Sequence, residues 1–495
     1  MIVTITPDAI GQKLSDWLVS QGHYITSPCG GRGVCGKCKV KLLSGYFCDT
    51  VTKDTVVPDD DGYILSCQVS CTKDSVGASI SIPALEGGGL TDFVANANVG
   101  QKSGYAIALD IGTTTIGACL VDMNSGEVLC KTSMLNPQAV YGADVLSRIK
   151  VCSEGKLSIL HSLIIDATNQ IISKLSQGKS ISELYVSANT TMLHLFLGVD
   201  PTPIGSYPFT PVFTLEQVLD GETLNLDVGV VKLMPSASAY IGSDVVVGVL
   251  ASGMVGDATQ VLVDMGTNGE IVLVHRGKTY ATSTAVGPAL EGACIECGMG
   301  GVAGAIDRVY LQNGNIYTHT IADAKPIGIC GSGLIDLMAL LLREGMIDET
   351  GAWQEDSDSP LANRLKGDKL YLTEDIYLSQ KDIRQFQLAK SALYSGIETL
   401  LEDKEVSYED IDALYIAGGI GYYMNLESAT RVGLIPTQLS SVAKVVGNTS
   451  LAGTVRCLLS DLDREMVKNI ARQIEVIDLS FSKVFGEKYI QNMYF

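Results

Sequence analysis

The chain has 495 residues, more than one hydrophobic core usually organises, so about two to four domains are expected. Hydrophobic residues at 46 % and charged residues at 18 % exclude a disordered or fibrous majority, and apolar runs such as Val245 to Leu250 are far shorter than the roughly eighteen residues that would span a bilayer, so no membrane partner is expected. The 55 acidic and 35 basic residues give a net charge of −20 with no standout cluster of Lys and Arg, which argues against nucleic acid as a partner and reads as a well-hydrated surface.

The start, Met1-Ile2-Val3-Thr4-Ile5-Thr6, is strand-like and lacks the basic and apolar stretches of a signal peptide, so a cytoplasmic protein is expected. Thirteen Cys, an odd number spread along the chain, fit metal ligands and buried thiols better than a disulfide scaffold. A helix is predicted over Gly11 to Gln21, followed by a Cys-rich loop and a strand over Lys39 to Leu43. In that loop Cys29, Cys35 and Cys38 form C-x5-C-x2-C, and Cys67 follows after twenty-eight residues, close to the spacing that wraps three thiolates around a 2Fe-2S cluster and closes it with a fourth. Gly30, Gly31, Gly33 and Gly36 lie between these ligands, where the backbone must curl and point N–H groups at sulfur. A structural zinc site is the alternative, but zinc ribbons pair two C-x2-C knuckles and this segment has one. Cys48 and Cys71 read as ordinary semi-buried thiols, and Cys294-x2-Cys297 lacks partners at ligand spacing.

After this first domain, residues 1–83, the stretch 84–103 has the glycines and the missing periodicity of a linker. Two α/β lobes are expected to follow, 104–259 and 260–495. Strands over Tyr105 to Leu109 and Thr115 to Val121 and a helix over Leu157 to Leu175 begin the first, and Val261-Leu262-Val263-Asp264-Met265-Gly266-Thr267 echoes Ile107-Ala108-Leu109-Asp110-Ile111-Gly112-Thr113 about 150 residues later, which points to a duplication. Each echo is a buried strand ending in Asp-x-Gly-Thr: Gly112, Thr113 and Thr114, then Gly266, Thr267, Asn268 and Gly269, would offer donors to phosphate oxygens while Asp110 and Asp264 face a magnesium ion. Ordinary glycine turns are the alternative for each loop taken singly. A third strand-and-turn, Leu414-Tyr415-Ile416-Ala417-Gly418-Gly419-Ile420-Gly421, suits close approach of an adenosine face, and no G-x-x-x-x-G-K-[ST] occurs. The stretch from Asp348 to Lys369 reads as an acidic surface insertion, and His194 as a core residue.

Pro28 to Cys38 together with Leu65-Ser66-Cys67-Gln68 resembles the ferredoxin β-grasp family, an α+β fold in which these four Cys hold the cluster, here with the opening hairpin cut to a single strand. The three loops, in this order across two similar halves, resemble the acetate and sugar kinase, chaperone and actin superfamily, which implies a duplicated ribonuclease-H-like ATPase core. Within it, Val186 to His194, Gly287 to Ala293, Cys330-Gly331-Ser332-Gly333-Leu334-Ile335-Asp336 and Gly447 to Gly453 are similar to the ATP-dependent reductive activators of corrinoid proteins. That resemblance implies one electron taken from an upstream low-potential donor and passed to Co(II) of a corrinoid protein in a methyltransferase system, with ATP gating the transfer, in a homodimer. It implies that Asp110 and Asp264 organise magnesium and the attacking water, with Glu291 a candidate for polarising that water. Thr113, Thr114, Thr267 and Asn268 would contact phosphates, Gly418, Gly419 and Gly421 adenosine, and Gly331 and Ser332 the nucleotide. Rival readings are an activator of 2-hydroxyacyl-CoA dehydratases, a redox-sensing small-molecule kinase, and a simple electron carrier with a degenerate ATP domain.

Overall fold

The computed structural model of the chain describes residues 2–21, 23, 25, 33, 36, 38–82, 102–254, 256–419 and 424–495. The N-terminal module is a four-stranded antiparallel sheet in the order Ile2–Thr4, Ser79–Ser81, Lys39–Ser44, Tyr63–Leu65. One helix, Leu14–Ser20, buries Leu14, Trp17 and Leu18 against Val40, Ile64 and Ile80. The opening strand runs straight into a 3-10 turn at Pro7–Ala9, so a single strand stands where a hairpin is usual. Trp17 Nε1 donates to Asp8 Oδ2 at 2.9 Å and ties that turn to the helix.

The remainder holds two sheets built to one plan. In the first, Tyr105–Ile111, Thr115–Asp122 and Val128–Leu135 form an antiparallel meander, and Ile181–Ala188 and then Val230–Leu233 add in parallel on the far side of Tyr105–Ile111. In the second, Gln260–Met265, Gly269–His275 and Lys278–Thr284 form the meander, and Ala413–Ala417 and then Ala443–Gly447 add in parallel. Numbered along the chain, these five strands read 3-2-1-4-5 in both sheets; a sixth strand extends each at opposite edges, Gln217–Asp220 beside Val230–Leu233 and Glu475–Val476 beside Lys278–Thr284. The registers match too: Asp110 pairs with Ser187 on the fourth strand of its sheet, and Asp264 with Ala417 on the fourth strand of its own. Helices cover both faces, which is why the central strands are near-continuous apolar runs such as Ile107, Ala108 and Leu109, all fully buried.

The lobes are joined through two helices, Ser243–Ala251 and Thr449–Leu459, which cross with almost no side chain between them. A Cβ at Gly453 would fall inside the Val247 carbonyl, while Gly248 faces Thr449 Oγ1. The second helix also rests on the first sheet, where Ser187 Oγ and Ser450 Oγ lie 2.9 Å apart and Thr454 Oγ1 donates to Ser187 Oγ at 2.6 Å. Gly453→Ala should therefore destabilise the protein by about 1–3 kcal/mol through overpacking, read as a lower midpoint in thermal unfolding.

The stretch Asp348 to Lys369 is more than a surface insertion. Its end feeds a three-stranded sheet, Leu365–Lys366, Lys369–Tyr371 and Tyr377–Ser379, and Leu361 and Leu370 are fully buried in the second lobe's core. Leu361 pins a segment whose overall polarity masks it, and Leu370 anchors the strand that follows. Among the described residues, no helix is long and apolar enough to cross a membrane.

Candidate functional site

Two places in the chain gather chemistry-bearing side chains. In the N-terminal module, Cys38 Sγ and Cys67 Sγ lie 3.2 Å apart, both buried and neither in a disulfide. Cys38 leads into the Lys39–Ser44 strand, and Ser66 N donates to Cys38 O at 2.9 Å, so two backbone segments clamp the thiols together. The Cys67 contact pushes the Cys38 thiol down to about 6, against the effect of burial. Such a thiol is largely thiolate at neutral pH, the form that binds metal. By contrast burial alone pushes Cys71 up to about 11, so it stays protonated. Next to Cys67, Gln68 Nε2 donates to Gly33 O at 3.1 Å. The donor set fits a thiolate-ligated cluster, with Cys29 and Cys35 outside the described residues. Among the described residues, no three His, Cys, Asp or Glu converge on a metal position.

The second place is a cavity of about 780 Å³ between the lobes, lined by both Asp-x-Gly-Thr turns. Asp110 sits at the end of its strand and accepts from Asn448 Nδ2 at 2.9 Å and Ser450 Oγ at 2.7 Å. Asn448 and Ser450 are the cap and second residue of the Thr449–Leu459 helix, so the C-terminal lobe orients the first lobe's carboxylate. Gly112 N donates to Thr115 O at 2.9 Å and Gly266 N to Asn268 O at 3.0 Å, closing the two turns. Asn189 Nδ2 donates to Thr113 Oγ1 at 3.1 Å. Thr114 Oγ1 and Thr267 Oγ1, one from each turn, both donate to Glu291 Oε2, at 2.6 and 2.8 Å. One carboxylate thus bridges the two halves of the duplication.

Gly112, Gly266, Asn268, Gly331, Ser332, Gly418 and Gly419 also line the cavity. Gly418 has φ +96°, and a Cβ there would run into the Met265 carbonyl and Asp264 Oδ1, so only glycine lets this turn come up against the second carboxylate. Gly269 instead packs against Val286 and Leu393, away from the cavity, and Gly421 is outside the described residues.

Three family models match in succession: a 2Fe-2S iron-sulfur cluster binding domain over residues 3–72, the RACo middle region over 105–257, and the C-terminal domain of RACo, the ASKHA domain, over 258–495. Corrinoid activation enzyme RamQ of Eubacterium limosum is 34 % identical over 438 residues, covering 83 % of this chain and 73 % of that protein. The chain belongs to the corrinoid activation enzymes. A second member, the [Co(II) methylated amine-specific corrinoid protein] reductase of Methanosarcina barkeri, is 24 % identical over 421 residues, covering 76 % of this chain and 72 % of that one. The solved structure of a reductive activator for corrinoid, iron-sulfur protein covers 99 % of this chain and 96 % of its own at 27 % identity, with a TM-score of 0.74.

In this corrinoid activation enzyme two further carboxylates, Asp244 and Glu270, stand in the cavity wall where sequence reasoning placed none. Asp244 opens the helix Ser243–Ala251, and Glu270 pairs across the hairpin with Asp264. Burial, reinforced by the neighbouring carboxylates, pushes Asp244 up to about 8 and Asp264 up to about 7, and burial raises Asp110, Glu270 and Glu291 as well. Ser243-Asp244 reads in sequence as a helix start like many others, whereas Glu270 could have been found from its place one residue beyond the second turn.

Cys330 also lines the cavity, its Sγ 3.3 Å from Ile306 O and 3.4 Å from Ser332 Oγ. Cys297 Sγ lies 3.5 Å from Tyr377 N, and its turn is anchored by Glu296 N donating to Asp382 Oδ1 at 2.8 Å. His194 is fully buried, with Nδ1 2.8 Å from Thr190 O, Nε2 accepting from Val212 N at 3.0 Å, and the ring stacked on Phe213. Both ring nitrogens are occupied, which makes it a core residue.

Proposed function

We propose that the protein reduces Co(II) to Co(I) in a corrinoid protein of a methyltransferase system, one electron at a time, with ATP driving the step. The observation that carries this reading is the presence in one chain of the paired Cys38 and Cys67 thiols and of two threonine turns meeting across a large cavity. A 2Fe-2S cluster held by Cys29, Cys35, Cys38 and Cys67 supplies one-electron chemistry at low potential. Co(II) of a corrinoid is harder still to reduce in its usual ligand state, so the partner must be bound in a form that takes the electron more readily. ATP achieves this only by favouring one state of the complex over another. Two lobes that share a cavity and cross at a glycine contact are suited to such a change.

Asp110, oriented by Asn448 and Ser450, and Asp264 across the cavity would hold a magnesium ion and set the attacking water. Thr113, Thr114, Thr267 and Asn268 would hold the phosphates, with Gly418 and Gly419 against adenosine and Gly331 and Ser332 on the remaining wall. Glu291, which reaches both turns, is placed to polarise the water. The test is anaerobic absorbance of a Co(II) corrinoid protein mixed with this protein and a reductant. The Co(I) band is expected with ATP and magnesium and absent without them. ATP consumption with no Co(I) from any corrinoid partner would reassign the electron acceptor.

A further inference from the structure

The titratable acids and bases of the cavity wall are one-sided. Asp110, Asp244, Asp264, Glu270 and Glu291 line it, and among the described lining residues there is no Lys, Arg or His. A polyphosphate adds more negative charge in a wall of low polarisability, and magnesium travelling with it offsets only part of the repulsion. Fixed positive charge close behind the wall would offset more.

One such charge exists. Arg148, in the short helix Val145–Val151, is 0 % exposed. Among the described residues no carboxylate hydrogen-bonds to it; its fork is divided among neutral acceptors, and Asp144 and Glu291 act on it only through their charge. Nε donates to Gly142 O at 3.0 Å, Nη1 to Gln138 Oε1 at 3.2 Å and towards Met192 Sδ at 3.1 Å, and Nη2 to Thr113 O. Burying a guanidinium is costly, and a further anion brought near it offsets part of that cost. The last of its contacts lies directly behind the first phosphate turn, and Thr114, the next residue, reaches Glu291 in the second lobe.

We propose that Arg148 is a positioning residue for the polyphosphate. It acts through the backbone: hydrogen bonding to Thr113 O polarises the Thr113-Thr114 peptide and makes its N–H a stronger donor to a phosphate oxygen, while the buried charge adds its field from behind. Its effect grows with the number of phosphates and leaves the nucleoside untouched. The proposal rests on the reading of the cavity as the nucleotide site.

The test is calorimetry on the full-length, cluster-loaded protein with magnesium, titrating the β,γ-imido analogue of ATP, then ADP, then AMP. Arg148→Met is expected to weaken the triphosphate about tenfold or more, ADP less, and AMP within about twofold, with Arg148→Lys recovering most of the loss. Should Arg148→Met not fold, Arg148→Gln, which keeps two donors without the charge, carries the same comparison. Equal loss for all three nucleotides, or none for the triphosphate, overturns the role of Arg148 alone and leaves it a packing residue. If the wild-type protein binds none of the three, the nucleotide reading of the cavity falls and this proposal falls with it.

Discussion

A Cys67→Ser variant is expected to keep its nucleotide affinity and lose corrinoid reduction altogether. Cys67 is 2 % exposed and lies 3.2 Å from Cys38, so replacing its sulfur removes one half of a buried thiol pair. A serine hydroxyl at this place remains protonated and hard, where the cluster needs a soft thiolate. The measurements are visible absorbance and electron paramagnetic resonance of the reduced protein, which should lose the 2Fe-2S signature, beside the Co(I) assay, which should read zero. Cys71→Ser is the control. Burial holds that thiol at about 11, so its loss should leave the cluster signals intact. A Cys67→Ser protein with undiminished cluster signals would remove Cys67 from the ligand set.

Asp110→Ala should lower ATP hydrolysis about a hundredfold or more, the usual consequence of deleting a preorganised electrostatic group. Asn448 Nδ2 and Ser450 Oγ, which now aim at the carboxylate from the other lobe, would lose their acceptor, so the lobes would lose register at the cavity as well as a metal contact. Phosphate release in steady state checks the loss, and an unchanged cluster spectrum confines it to the ATPase half. Full ATP-dependent corrinoid reduction by this variant would remove Asp110 from the machinery.

Much of this was legible in the sequence because it is written in local spacing. The C-x5-C-x2-C run and the two Asp-x-Gly-Thr echoes are short, contiguous signals, and each strand beneath them is an apolar run that helices on both sheet faces require. Asp244 and Arg148 were not legible because their surroundings come from outside their own segments, whereas Glu270 stands one residue beyond the second turn and was within reach. Asp244 reaches the cavity only because the Ser243–Ala251 helix crosses Thr449–Leu459, about two hundred residues on. Gly269 misled in the opposite way: it belongs to the motif by position, yet strand geometry turns it toward Val286 and Leu393. The acidic look of 348–369 hid Leu361, since composition averages over a segment and burial does not.

The bridge formed by Glu291 has a thermodynamic consequence. Thr114 and Thr267 already donate their hydroxyls to its carboxylate, so the protein carries its own occupant for the position between the two turns. Any anion that takes those hydroxyls does so by exchange, and its apparent affinity is a difference between two sets of hydrogen bonds instead of the sum of one. A phosphate that took both hydroxyls would free the Glu291 carboxylate from both halves at once, so loss of an internal cross-link would accompany its binding.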